Sequence, residues 1–251
     1  MLQQLDLKQI LVLDIETVPQ YASFDQVPKH LMELWDAKTK RLRSDEETCA
    51  DFYARAGIWA EFGKIVCISV GIFNQQHEQL GLRIKSFADD DEKELLIDFI
   101  SLLNKQPASL ILCGHNAKEF DFPYLCRRML INGLEIPPQL QISGKKPWEI
   151  NHIDTMELWK FGDYKNYTSL NLLAAVFNIP TPKDDIDGSQ VGNVYWNDGD
   201  LERITTYCQK DVVTTAQVLL KLKGLPAIAD EQVEIVGTTT QPSPKVSDKT
   251  M

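Results

Sequence analysis

The sequence contains few cysteines, and none of them forms a closely spaced pair. The five cysteines among its 251 residues are odd in number and scattered, and no C-x-x-C pair occurs. Paired spacing is typical of both zinc sites and disulfide frameworks. The cysteine pattern therefore predicts neither kind of site.

Long apolar runs are also missing from the sequence. No run approaches the roughly 20 apolar residues that a transmembrane helix needs, and residues 1–9 lack the basic and apolar regions of a signal peptide. We therefore expect a soluble, cytoplasmic protein that has no membrane partner. Its oligomeric state is left open.

Positive charge is in deficit along the chain. There are 26 Lys and Arg residues against 36 Asp and Glu residues, which gives a formal net charge of −10. This balance argues against a protein that holds nucleic acid by a broad basic surface. It does not exclude an enzyme that contacts phosphates through divalent cations, because a bound cation reverses the local field.

The periodicity of apolar residues predicts an α/β fold with a mixed sheet flanked by helices. Three strands are followed by alternating strands and helices, which is typical of that class. The predicted strands cover residues 10–19, 64–73, 82–87, 109–113 and 150–153. The later predicted helices cover residues 123–132, 169–177 and 200–222.

The same pattern predicts one domain and a tail. Residues 1–224 would form the domain, with an excursion of helical spacing at residues 20–63. Residues 225–251 have a polar composition that indicates a disordered tail, which could serve as a docking segment for a protein partner.

Two carboxylates interrupt the first predicted strand. Asp14 and Glu16 are two residues apart, so their side chains point to the same face of the strand. Two like charges on a covered strand repel each other, and each loses hydration. A cation is therefore expected beside them, although so short a motif also occurs by chance.

Further polar residues follow later strands and helices. Asp121 comes after a predicted strand and the turn at residues 114–116, where a strand leaves the sheet for a helix. Tyr207 and Asp211 are four residues apart and share a helix face. Asp154 begins or precedes a helix and is equally explained as its N-cap. Each residue alone also has a purely structural explanation.

The ordered set of motifs is far more specific than any one of them. With D-x-E on the first strand, N-x-x-x-F-D after a later strand and Y-x-x-x-D on the last helix, the chain resembles the DEDD superfamily of 3′-to-5′ exonucleases, in its tyrosine-containing DEDDy subgroup. It is most similar to the predicted exonucleases related to the proofreading domain of family B DNA polymerases. The resemblance covers roughly residues 8–222. It implies a ribonuclease H-like fold with a mixed five-stranded sheet and helices on both sides.

The resemblance also implies a catalytic set and a pair of divalent ions. Asp14 would bridge two Mg²⁺ or Mn²⁺ ions, Glu16 and Asp211 would complete the site of the first ion, and Asp121 would hold the second. Hard oxygen ligands suit these ions. Tyr207 would orient the attacking water, because a phenol with a pKa near ~10 is a poor base at neutral pH.

Four more residues are predicted to contact the substrate: Thr17, Asn116, Phe120 and Ser189. Ser189 lies in residues 184–191, which resemble a loop near the substrate in the polymerase-related group. Phe120 is equally explained as a core residue. The expected substrate is the 3′ end of single-stranded DNA or RNA, with DNA favoured, and the expected products are 5′-mononucleotides. The residues alone leave the preference between the two open.

Other functions are less well supported by the sequence. A catalytically silent nucleic-acid-binding or scaffolding protein of the same fold remains the alternative. An aspartic protease motif at Asp154 and Thr155 fails, because Met156 stands where the tight turn needs glycine. An EF-hand in residues 184–196 fails because no register there places a glutamate at the twelfth position.

Overall fold

The predicted succession of strands and helices is present in the computed structural model, which describes residues 2–76, 79–163, 165, 167–180 and 186–239. The described residues form the strands Ile10–Pro19 (β1), Gly63–Gln76 (β2), Gln79–Ala88 (β3), Ile111–Gly114 (β4), Ile153–Asp154 (β5) and Val233–Thr239 (β6). Their helices are Lys29–Thr39 (α1), Glu92–Asn104 (α2), Asp121–Ile131 (α3), Thr155–Lys160 (α4), Leu170–Val176 (α5), Val191–Asn193 (α6) and Leu201–Leu222 (α7). Within these ranges, no helix has the length and apolarity that crossing a membrane requires.

The strands form one mixed sheet in the order β5-β4-β1-β2-β3-β6. β1 is parallel to β4 and antiparallel to β2, while β4 is also parallel to β5. β2 and β3 form an antiparallel pair. The predicted α/β class and mixed sheet are confirmed, with six strands instead of five.

Alternate residues of β1 enter two different cores, because successive side chains of a strand point to opposite faces. Leu11, Leu13 and Ile15 pack on the face covered by α2 and α3. Ile10 and Val12 pack on the opposite face, against the second half of α7. Apolar side chains therefore cover both faces of this part of β1. The even-numbered residues that follow, Asp14 and Glu16, point towards α7.

The sixth strand corrects the predicted disordered tail. Residues 233–239 pair in parallel with β3, from Leu82 opposite Val233 to Phe87 opposite Thr239. Without β6, the backbone N–H and C=O groups on the outer side of β3 would lack partners, and they stabilise a strand placed beside them. The prediction used only the composition of the tail, which does not show this pairing. The Gln217 side chain anchors the connection, since it donates to Ile228 O at 2.6 Å and accepts from Ile228 N at 2.9 Å. The rest of the predicted tail, residues 240–251, lies outside the described residues.

The excursion between β1 and β2 has an aromatic core of its own. Trp35 of α1 is fully buried, and its ring lies 5.3 Å from Trp59 and 5.1 Å from Phe62, edge-on in both pairs. A 3-10 helix, Asp51–Ile58, completes the excursion. It is tied to α3 by the Tyr124 hydroxyl, which donates to Gly57 O at 2.8 Å.

A buried ion pair joins three parts of the fold. The Glu92 carboxylate accepts from Arg128 Nε and from Ile65 N, both at 2.8 Å, and from Asn132 Nδ2 at 2.9 Å. Arg128 Nη1 donates to Ala60 O at 2.8 Å. Because Glu92, Arg128 and Ile65 lie in α2, α3 and β2, this network holds α2, α3 and the start of β2 together.

Replacing Glu92 should destabilise the protein strongly. We expect Glu92→Ala to lower the free energy of unfolding by about 3–5 kcal/mol, because it leaves the Arg128 charge buried without its counter-ion. Glu94→Ala is the matched control, since Glu94 is exposed in the same first turn of α2, and it should change this free energy by less than about 0.5 kcal/mol. Urea denaturation measures both variants, and equal effects would contradict the assigned role.

Candidate active site

The first part of the candidate site is the second half of β1. Asp14 and Glu16 lie on the face towards α7, as their spacing predicts, with Asp14 partly exposed and Glu16 buried. The pairing of β1 with β2 shifts register between Glu16 and Thr17. Such a bulge increases the local twist and changes where the neighbouring side chains point. Both carboxylates therefore lie just before the point where the regular pairing of β1 with β2 is interrupted.

The second part of the site is the amino-terminal half of α7. This helix begins at the cap residue Asp200, whose side chain accepts from Arg203 N at 3.0 Å. The Cys208 thiol contacts β1 directly and donates to Asp14 Oδ2 and Asp14 O, both at 3.4 Å. Tyr207 and Asp211 stand on either side of this contact along the helix, and the Tyr207 hydroxyl donates to the Asp211 carboxylate.

The third part is the start of α3. Asp121 is the first residue of this helix and is buried, at 4% exposure. Its carboxylate accepts a backbone hydrogen bond from Ile15, between the two acids of β1. A residue distant in sequence is thereby brought to the same end of β1.

The pKa values show that these carboxylates share one electrostatic field. Burial raises the pKa of Asp14 well above its usual range, and the charges of Asp211 and Asp121 raise it further. Burial, followed by the charges of Asp14 and Asp211, also raises the pKa of Glu16 well above its usual range. Burial, together with the charges of Asp154 and Asp211, raises the pKa of Asp121 to about 7. The five predicted catalytic residues therefore converge on one site.

Tyr207 is protonated at neutral pH in this environment. Burial raises the pKa of its phenol far above the usual value, and the charges of Asp211, Glu16 and Asp14 add to the rise. A phenol that cannot ionise acts as a hydrogen-bond donor and not as a base.

Two of the predicted substrate residues lie on segments that carry the carboxylates, Thr17 on β1 and Asn116 in the loop before Asp121. Thr17 follows Glu16, and its hydroxyl donates to the hydroxyl of Tyr124. Asn116 lies in the loop after β4 with a left-handed backbone, φ 62°. Its side-chain Oδ1 is buried and has no hydrogen-bond partner among the described residues. An unsatisfied buried oxygen is costly, so this atom is suited to receive a donor from a ligand.

The other two predicted substrate residues make different contacts. Phe120 is half-buried, packs against the core of α2 and α3, and has its ring 5.3 Å from that of Tyr124. Its described contacts are those of a core residue. Ser189 is exposed, and its hydroxyl donates to Asp187 Oδ1 at 2.5 Å within its own loop. No described contact connects Ser189 to the carboxylates.

Asp154 does more than cap α4. Its carboxylate accepts from Met156 N at 2.9 Å as the predicted cap, and also from Asn116 N at 2.9 Å and Lys118 N at 3.1 Å. It therefore shapes the loop that leads to Asp121. The sequence indicated the cap, but the second set of bonds depends on the pairing of β4 with β5, which places Gly114 beside Asp154.

Cys208 is the site residue that the sequence analysis missed. Its thiol and the carboxylate oxygens of Asp14 and Glu16 all lie within 4.8 Å of one another. Its position between Tyr207 and Asp211, on the buried side of the helix, is the signal that could have found it.

The acidic cluster has the chemistry of a divalent-cation site. None of the ion pairs between described residues involves Asp14, Glu16 or Asp121. No lysine or arginine therefore compensates their charges in these ion pairs, and burial, followed by the neighbouring carboxylates, raises their pKa values. Carboxylate oxygens are the ligands that Mg²⁺ and Mn²⁺ prefer, so the residues present fit such an ion.

Comparison with known families agrees with this geometry. Residues 58–235 match the family described as predicted 3′-5′ exonuclease related to the exonuclease domain of PolB. The chain belongs to this family. The match confirms the predicted resemblance and the ribonuclease H-like exonuclease fold. No curated protein matches the sequence significantly.

The match includes only part of the candidate site. Asp121, Tyr207 and Asp211 lie within the matched residues 58–235, whereas Asp14 and Glu16 precede them. The assignment of these two acids to the site therefore depends on their position in the structure.

The stability of the metal-free protein should depend on pH through these acids. Asp14, Glu16 and Asp121 have pKa values above those of the unfolded chain, so the folded state holds more protons than the unfolded state between about pH 4 and pH 7. In EDTA, we expect the melting temperature to fall as pH rises from 5 to 8. Saturating Mg²⁺ or Mn²⁺ should reduce that fall, because a cation replaces the protons.

The control for this experiment is Asp14→Asn, which removes one of the repelling charges. Its metal-free melting temperature should depend less on pH than that of the wild type. A melting temperature that is independent of metal at pH 8 in the wild type would contradict the cation site.

Proposed function

We propose that this protein is a metal-dependent 3′-to-5′ exonuclease that shortens single-stranded nucleic acid. The observation that carries the proposal is the convergence of Asp14, Glu16, Asp121 and Asp211 from three separate elements. Membership of a predicted exonuclease family supports the reaction type. The alternative, a silent binding protein, would leave four mutually repelling acids without a use.

Two divalent ions would bind among these acids. Asp14 would contribute to both, Glu16 and Asp211 would complete the first, and Asp121 would hold the second. Such a pair would supply a nucleophile from water at neutral pH and would stabilise the departing 3′ oxygen. The protein contributes the rigid placement of the acids, since β1 is covered on both faces and α7 is fixed against it.

Tyr207 would hold its proton throughout the reaction. Its pKa lies far above neutrality, so its hydroxyl can donate a hydrogen bond and fix an orientation without accepting a proton. In the structure that bond goes to Asp211. The hydroxyl therefore lies next to the Asp211 site, where its oxygen would accept a hydrogen bond from the attacking water and orient it.

The substrate would be a free 3′ end, and the products would be 5′-mononucleotides. Relation to the exonuclease domain of a DNA polymerase favours DNA over RNA. The net charge of −10 argues that contacts with the strand are local to the site and not spread over the surface.

The first test is a time course on a 5′-labelled single-stranded DNA and its RNA counterpart. With Mg²⁺ or Mn²⁺ we expect a ladder of shortened products, which EDTA abolishes. Asp14→Asn should lower kcat by at least about 10²-fold, because charge stabilisation at the reacting atoms is lost. Glu202→Gln, an exposed acid on the same helix as Asp211, should leave the rate unchanged. Absence of cleavage with either metal would favour the silent binding protein.

Tyr207→Phe separates orientation from metal binding. We expect kcat to fall by about 10²-fold, because the water is no longer positioned, while the Mn²⁺ affinity from calorimetry stays within about twofold. Tyr53→Phe is the control, since Tyr53 is buried in the excursion and its hydroxyl accepts from Tyr21 N. Equal losses of metal affinity and turnover in Tyr207→Phe would contradict the orienting role.

A further inference from the structure

An aromatic residue after α4 is held in a position that costs stability. Phe161 ends this helix with a left-handed backbone, φ 44° and ψ 34°, which glycine or asparagine adopts with less strain. Its side chain is 87% exposed, so packing within the chain does not offset that cost. Gly162 follows at φ 90° and could itself serve such a turn. The ring is therefore exposed to solvent at a position where the backbone is strained.

A second exposed ring and a cleft lie in the same segment. Tyr167 is 67% exposed. With Trp159, Lys160, Asp163 and Thr168 it lines a cleft of about 320 Å³. This volume is at the lower end of the roughly 300–1,000 Å³ of small-molecule sites. Trp159 is fixed edge-on against Phe177, with ring centroids 5.4 Å apart, so one aromatic wall of the cleft is rigid.

This segment is attached to the loop that carries part of the candidate site. The Thr168 carbonyl oxygen is 2.8 Å from His115 Nε2, one residue before Asn116. Lys160 Nζ is 3.9 Å from Glu119 Oε1. α4 has only six residues, so Phe161 is about 9 Å along the chain from the end of β5. The residues that line the cleft are therefore joined to the loop between β4 and Asp121 by these two contacts.

We propose that Phe161 and Tyr167 form an aromatic platform on which unpaired bases of the substrate strand stack. This inference rests on the proposed function and extends it to the nucleotides beyond the one being removed. Exposed aromatic faces suit bases of any sequence, because every base has a π-face. Lys165, exposed between the two rings in sequence, can approach the strand backbone. Stacking does not read the 2′ position, so the platform accepts DNA and RNA alike.

The chain offers a matched control for this platform. Trp148 is 75% exposed, and Lys146 Nζ lies 5.2 Å from its ring centroid. It precedes β5, whereas Phe161 follows the helix after β5. Because β4 and β5 are parallel, Trp148 lies towards the amino-terminal ends of these strands, whereas the loop that leads to Asp121 follows the carboxyl end of β4.

The experiment compares a long and a minimal substrate. The long one is a 5′-fluorescein-labelled dT20 strand, and the minimal one is the p-nitrophenyl ester of thymidine 5′-phosphate, which has no further bases to stack. Wild type, Phe161→Ala, Tyr167→Ala, the double variant, Tyr167→Phe and Trp148→Ala are compared. Kd for the strand is measured by anisotropy in EDTA, and KM and kcat are measured for both substrates with Mn²⁺.

We expect each alanine change at the platform to raise Kd and KM for the strand by about tenfold. Rates on the minimal ester should stay within about twofold, and Tyr167→Phe and Trp148→Ala should behave as wild type. Parallel losses on both substrates would show a structural role and overturn the platform. An unchanged Kd for the strand would also overturn the platform. If the variants keep that Kd but run as a smaller species in gel filtration, the two rings belong to a dimer contact and the platform is likewise wrong.

Failure of the proposed function gives a different result. If the wild type neither binds nor shortens strands, both the function and the platform are wrong. If the wild type shortens strands and the platform variants match it, only the platform is wrong.

Discussion

Repulsion between carboxylates is the constraint on which the candidate site depends. Asp14, Glu16 and Asp121 are held near one another, and burial together with repulsion from neighbouring carboxylates raises the pKa of each carboxyl. A flexible support would relax by moving the charges apart. β1 cannot do so, because its neighbours in the sheet and the cores on both faces fix it. Because the rigid sheet prevents the carboxylates from moving apart, the folded protein retains an affinity for cations.

Local periodicity was enough to predict the parts of the site that lie within one element. The spacing of Asp14 and Glu16 set their common face, and the spacing of Tyr207 and Asp211 set theirs. What the sequence did not indicate are contacts between distant segments. Asp154 reaches the Asn116 loop through strand pairing, and Cys208 touches Asp14 across the interface of helix and sheet.

The excursion between β1 and β2 supports the site from one end. Its turn at Gly57 lies so close to the Val18 backbone that a Cβ at Gly57 would be 3.0 Å from the Val18 carbonyl carbon. Tyr124 joins that turn to α3, while its hydroxyl also accepts from Thr17. Sequence periodicity showed helical spacing in this excursion. It did not show the packing of Trp35 against Trp59, because the two residues are 24 positions apart and local periodicity relates only neighbouring residues.

The sixth strand has a consequence for how molecules of this protein meet one another. β3 is long, and without β6 its outer row of N–H and C=O groups would be open along residues that now pair with Val233–Thr239. An open, regular strand edge is a template for joining sheets from separate molecules. β6 is short, and Gly237 lies near its end at φ 34°, so the edge it presents in turn is irregular. β6 therefore extends the sheet by one strand and, through its irregular outer edge, disfavours pairing with a strand from another molecule.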